Sequence, residues 1–180
     1  MRTDRLQREF GVELRWSVFP LHPETPEQGT ELSQLLGVSS DQVVAMQARL
    51  REVASAEGLP IAERTRTYNS RRAQELGKWA ESQGKGDSWR RAVYHAFFVT
   101  GRNIALVDEL AGIAKSIGLS AEDALAVLAA GDYAAAVDAD WRRARELDVN
   151  AVPTHLCAGR RLVGFSSYDS FVRLLNLAEK

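Results

Sequence analysis

The sequence predicts an α/β protein in which strand material near both ends is interrupted by a long helical block. Three observations carry that reading. Residues 12–19 (VELRWSVF) alternate Val12, Leu14, Trp16 and Val18 against Glu13, Arg15 and Ser17, the period of a strand with one face covered. Between residues 31 and 148 apolar side chains recur at helical spacing, in stripes that end at glycines. Residues 150–165 (NAVPTHLCAGRRLVGF) then set a Val-Pro pair before two short runs joined by a turn at Gly159 and Arg160, a hairpin pattern.

Taken in order, residues 3–10 read as the last turns of a helix, with Leu6 and Phe10 on one face and Gly11 as the stop. After the strand at 12–19, residues 20–29 carry three prolines and a glycine in ten positions and must be a loop. Ser39 and Gln42 form a capping box for a helix whose apolar residues Val43, Met46, Leu50 and Val53 step by three and four until Gly58. Further helices are predicted at 70–83, 88–100, 104–117, 121–130 and 133–147. Gly84, Gly101, Gly118 and Gly131 end stripes, and Asn69, Asp87, Asn103, Ser120 and Asp132 stand as N-caps. Helices joined this tightly form a bundle. Strands at 154–158 and 161–164 follow, and a closing helix from Ser167 presents Phe171, Leu174, Leu175 and Ala178. The predicted domains are therefore residues 1–30 with 149–180, and an inserted helical domain at 31–148.

Composition excludes several function classes. A chain of 180 residues with 45% hydrophobic content can bury roughly 70% of its unfolded surface around one core, or one core with a subdomain. Lys and Arg (23) nearly balance Asp and Glu (24), for a net charge of −1, so neither a phosphate backbone nor an anionic bilayer is an expected partner. No apolar run approaches the roughly 20 residues that cross a membrane, and MRTDRLQREF lacks the features of a signal peptide. The expected location is the cytoplasm. The single cysteine, Cys157, rules out a disulfide framework, a multi-cysteine zinc site and an internal C-x-x-C.

With the helical block removed, what remains is most of a thioredoxin-like fold without its first strand. Four segments, RLQREFGVELRWSVFPLHPETPEQG (5–29), RTYNSRRAQELGKWA (66–80), AFFVTGRNI (96–104) and LDVNAVPTHLCAGRRLVGF (147–165), carry a further resemblance by their order and spacing. The chain resembles the DsbA-like family of thiol oxidoreductases, in particular its FrnE-like branch. The resemblance implies a thioredoxin domain interrupted by a helical lid. It also implies a C-x-x-C at the start of the first helix, whose dipole and free N–H groups favour a thiolate. That thiolate attacks a disulfide and the second cysteine resolves the mixed intermediate. Neither cysteine is present, and the serine that a related glutathione-dependent isomerase branch uses at about that place is absent too. No catalytic residue is therefore assigned. The expectation is that the natural gene product extends upstream of Met1 with an apolar strand and a C-x-x-C. In a chain without them, the two strands flanking the gap should pair directly, or a second copy should supply the strand.

In this family the proline at position 153 would be cis and would turn the Val152 N–H and C=O toward a groove, where an extended peptide or a small thiol such as glutathione pairs with them. Val152 and Pro153 are thus the predicted substrate contacts. Three further residues are secondary candidates. His155 and Cys157 lie two apart on one strand face, as a Cys-His nucleophile would require, although burial of a free cysteine and a hydrogen-bonded core histidine is the stronger reading. Asn69 precedes a helix in a stretch that resembles one lying over the family's active site. His22 and His95 have no ligand-spaced neighbours and read as structural, and no metal or cofactor is expected. The repeated Trp-Arg-Arg-Ala at 89–92 and 141–144 reads as tryptophan facing the core and arginines facing water, the second set answered by Glu146 and Asp148. Trp89, Tyr94, Phe97 and Phe98 crowd one helix; a bundle core accounts for most of them, with one or two left to line a groove where the bundle faces the thioredoxin domain. Three functions remain open: a protein of thiol-disulfide oxidoreductase descent without its redox motif, a non-catalytic peptide- or glutathione-binding module, and a helical interaction protein.

Overall fold

The computed structural model describes residues 2–178 and divides into two compact units, one formed by residues up to Leu21 together with those from Asp138 onward, the other by His22–Val137. One boundary, at Leu21, falls in the proline loop; the other, after Val137, falls inside a helix. Among the described residues, no helix is long and apolar enough to cross a membrane.

The second unit begins with the strand β1 (Thr30–Glu31), paired antiparallel with β2 (Arg66–Thr67). Between them lie the helices α2 (Leu32–Leu36) and α3 (Ser40–Ala56). The capping box of α3 is present: the Ser39 hydroxyl accepts from the Gln42 N–H at 3.2 Å, and the Gln42 carbonyl accepts from the Ser39 N–H at 2.9 Å. Its apolar stripe is covered only at its start. Val43 is buried, but Met46 is 53% exposed, and Leu50 and Val53 are exposed as well. A stripe records that a face can be covered; it does not supply a neighbour within the same chain.

Helices α4 (Arg71–Ser82), α5 (Gly86–Phe98), α6 (Val107–Ser116) and α7 (Ala121–Ala130) hold the main core. Leu76, Ala80, Trp89, Val93, Leu110, Ile113 and Ala124 meet there, four of them without measurable exposure. The glycine stops are used as expected; Gly84, for example, takes φ +68° at the end of α4, a conformation that costs an L-residue about 1–2 kcal/mol. The starts differ from expectation. Ser120 does cap α7, accepting from the Asp123 N–H at 3.1 Å, but α5 starts at Gly86, which puts Asp87 in its first turn, and α6 starts four residues after Asn103. The Asn103 carbonyl instead accepts from the Ala105 N–H at 2.9 Å, a local turn that competes with capping.

The first unit contains α1 (Arg2–Phe10), which buries Leu6, the hairpin of β3 (Thr154–Cys157) and β4 (Arg160–Val163), α9 (Tyr168–Ala178), and most of α8 (Ala134–Glu146). The hairpin turn is Ala158-Gly159, with φ +45° and +78°; positive φ at both positions is the turn whose twist matches that of the flanking strands. The Val152–Pro153 peptide bond is cis.

Residues 12–19 do not form a strand. Val12 and Leu14 are half-buried and Glu13 and Arg15 exposed, so the alternation holds over the first four residues, but Trp16 is exposed and the segment joins no ladder among the described residues. Direct pairing of 12–19 with β3, the arrangement expected of a chain without the intervening strand, therefore does not occur. A side chain substitutes at one point: the carboxylate of Asp140 on α8 accepts from the Val18 N–H at 2.9 Å. Alternation fixes which face is covered, whereas a strand also needs a partner backbone within reach.

Candidate functional site

The residues predicted as substrate contacts lie at the entrance to β3. The register of the hairpin is Thr154↔Val163, His155↔Leu162, Leu156↔Arg161 and Cys157↔Arg160. Beyond it the Gly164 N–H donates to the Pro153 carbonyl at 2.8 Å. In an antiparallel pair, hydrogen-bonded and non-hydrogen-bonded positions alternate. With Pro153 turned toward β4, residues 155 and 157 face β4 likewise, and Thr154 and Leu156 turn their backbone groups to the opposite edge. That edge is unpaired among the described residues. It offers the N–H groups and carbonyls of Thr154 and Leu156 at the spacing of an extended chain.

Side chains follow the same alternation. Val152, Thr154 and Leu156 line a cavity of about 110 Å³ with Val18, Phe19, Ala144 and Leu147, and Ser17 and Arg143 also border it. Val152 and Leu156 are each 44% exposed. The recess is therefore mainly apolar on its walls and polar along the open strand edge, a combination suited to an extended peptide.

On the opposite face, His155 packs edge-on against Phe171 of α9, ring centroids 4.6 Å apart. The expectation of a fully hydrogen-bonded histidine is not met at one ring nitrogen: its Nδ1 is buried without a partner, and the side chain packs on an aromatic ring. Burial draws its pKa below the ordinary 6.5, against a smaller opposing effect of the Leu162 backbone. His155 thus stays neutral in the folded chain at pH 7. The unfolded chain takes up a proton as pH falls through about 6.5 before the folded chain does, so the stabilising difference is present above that pH and is lost as pH falls toward the lower folded value. Urea midpoints from pH 7.5 to 5 should decline more steeply for the native sequence than for His155→Leu; parallel curves would show that His155 has no such linkage.

Cys157 is a free thiol of intermediate exposure, not the hidden core residue expected of an interior strand, because β3 has a neighbour on one side only. No hydrogen bond joins it to His155 among the described residues, so the Cys-His pair lacks the contact that nucleophile activation needs.

Asn69 has a structural job in the second unit. It stands one residue before the α4 N-cap, Ser70, yet its carbonyl accepts from the Arg71 N–H at 2.8 Å, and its amide donates to the carbonyls of Pro23 and Thr25, both at 2.9 Å. It ties the proline loop to the start of α4. His22 and His95 are exposed, and no group of three His, Cys, Asp or Glu side chains among the described residues could hold a metal ion. Of the two Trp-Arg-Arg-Ala copies, Trp89 is buried and Trp141 half-buried. Asp148 does not answer the second arginine set: its carboxylate lies 3.6 Å from Arg161, which also donates to the carbonyls of Leu147 and Asp148. Tyr94, expected in the bundle core, is exposed and meets Phe98 edge-on. The gap left by the missing strand was expected from the sequence; what sequence reasoning missed is that residues 12–19 do not close it by pairing with β3, and that Leu156 lies on the edge left open.

No curated protein matches the chain. Among solved structures it resembles a probable DsbA oxidoreductase from Streptomyces coelicolor, at TM-score 0.90 and 27% identity, over 99% of this chain and 82% of that one. It also resembles a 2-hydroxychromene-2-carboxylate isomerase at TM-score 0.71 and 17% identity, over 99% of this chain and 85% of that one, a likeness of fold alone. The model of the DSBA-like thioredoxin domain matches residues 1–176. With one cysteine in 180 residues these residues contain no C-x-x-C, and with that departure the chain belongs to the DSBA-like thioredoxin domain family.

Proposed function

We propose that this chain, a relative of the FrnE-like branch, binds extended peptides or small thiols without carrying out thiol-disulfide exchange. The observation behind this reading is the open edge of β3, where the backbone groups of Thr154 and Leu156 stand beside a mainly apolar recess that Val152 also lines. Val152 and Pro153 are the entrance contacts, and a strand added here gains main-chain hydrogen bonds for affinity and a pocket for every second side chain. The ligand is a peptide, a glutathione-like thiol, or a strand from a second copy of this chain. Exchange itself needs an attacking thiolate and a resolving thiol, and a lone Cys157 of intermediate exposure provides no such pair. A composition with one cysteine fits a reducing compartment such as the cytoplasm.

The test is a titration with unstructured apolar peptides and with glutathione, alongside a protein-disulfide reduction assay. Saturable binding is expected, with turnover at background and unchanged by Cys157→Ser. Leu156→Pro is the informative variant, because the N–H it removes faces the open edge and not β4, a place where proline is tolerated. It should abolish peptide binding while the hairpin persists. Binding that survives this change, or turnover that depends on Cys157, would refute the reading.

A further inference from the structure

The helical unit contains a second, larger recess, independent of the edge of β3. It has a volume of about 420 Å³ and opens between α3 and the segment leading through β2, with Val43 and Phe97 among its apolar walls and Tyr68 and Thr65 among its polar ones. A volume of this size accommodates a small organic ligand.

Its charges are unequal. Arg51 pairs with Glu63 at 2.9 Å and Arg66 with Glu31 at 3.5 Å. The third arginine, Arg64, has no carboxylate within ion-pair distance among the described residues. Its guanidinium lies over the rings of Phe97 and Phe98, 4.6 and 5.2 Å from their centroids, and a single long hydrogen bond, 3.4 Å to the Arg66 carbonyl, uses one of its five N–H donors. Burial without an acidic neighbour draws its pKa below the ordinary value. Three arginines against two glutamates leave one positive charge in the cleft.

The position is also held in advance. The Gln47 side chain on α3 accepts from the Arg64 N–H at 3.0 Å and donates to the Arg64 carbonyl, so the main chain beneath the guanidinium is clamped from both sides. A cation fixed on an aromatic floor, half out of water and short of an acceptor, is the recognition element of an anion site. The single unanswered charge favours a monoanion over a phosphate dianion, and the apolar walls favour a ligand with a hydrocarbon body.

We propose that this cleft binds a small monocarboxylate with an apolar body, and that Arg64 is its anion-recognising residue. The probe is hexanoate, titrated calorimetrically into the 180-residue chain, with hexanamide and inorganic phosphate as the comparison ligands. Hexanoate should bind saturably, hexanamide should not, and phosphate should bind at least about tenfold more weakly. Arg64→Met should weaken hexanoate at least about tenfold, and Arg64→Lys by less, since a point charge replaces the fork. Should the variants fail to fold, the Arg64 Nε resonance of the unaltered chain decides: it should shift along the same isotherm as the heat. No saturable hexanoate binding, equal binding of hexanamide, tighter binding of phosphate, or an Arg64 resonance indifferent to hexanoate would each overturn the proposal. None of these results bears on peptide binding at β3.

Discussion

Trp89→Ala is expected to lower the stability of the helical unit by about 3–5 kcal/mol, the range for removing a buried aromatic side chain. Trp89 is 2% exposed and sits among Leu76, Val93 and Leu110 in the core. Two features place it at the upper part of that range. Its indole N–H donates to the Ala73 carbonyl at 3.0 Å, and its ring lies so close to α4 that a Cβ added at Gly77 would stand 3.4 Å from it. The space left by the substitution borders a rigid helix backbone and collapses poorly. Trp89→Phe keeps most of the area and loses the hydrogen bond, so its cost should be smaller, and Tyr94→Ala on the exposed side of the same helix should stay within about 0.5 kcal/mol. Urea unfolding followed by circular dichroism ranks the three. A Trp89→Ala cost as small as that of Tyr94→Ala would mean that α5 does not organise the core.

Asp140→Ala is expected to cost about 1–3 kcal/mol and to free residues 12–19 locally. Asp140 is 8% exposed, and its carboxylate is the acceptor for the Val18 N–H. In a sheet that N–H would be paired by a neighbouring strand; here one buried side chain on α8 takes the place of a ladder. Alanine leaves the donor without a partner in a half-buried place, whereas asparagine keeps an oxygen and should recover much of the loss. Hydrogen exchange at the Val18 amide gives the local readout. The alanine variant should speed it strongly and asparagine only slightly, and equal exchange in all three proteins would contradict the role assigned to Asp140.

How much of this was legible in the sequence depended on where each element finds its partners. Helices satisfy their own backbones, so the recurrence of apolar residues at helical spacing between 31 and 148 and the glycine stops located the bundle without any knowledge of its surroundings. The hairpin was legible for the same reason, because Cys157 and Arg160 are neighbours in sequence. Residues 12–19 were not: alternation showed a face to be covered, and nothing in those eight residues records whether a second strand lies alongside. Helix α3 misled in the opposite sense, its Met46 and Leu50 stripe being genuine yet exposed. Within the candidate site, Val152 and Pro153 were found through resemblance. The role of Leu156 emerged only from the register of the hairpin, and that of Arg64 only from the acids that do not reach it.

The first unit is assembled from two stretches that the ribosome delivers far apart in time. Its opening 21 residues leave the tunnel before the whole of His22–Val137, an interval of roughly 6–23 s at about 5–20 residues per second. The intervening segment is contiguous and rich in local contacts, so it can fold as soon as it is made. The Val18 amide must wait for Asp140, and Leu6 with its helix for the closing turns that carry Tyr168 and Phe171. Once the bundle has folded, residues up to Leu21 still wait for Asp138 and the residues after it before the first unit can close, so that unit is completed only near the end of synthesis.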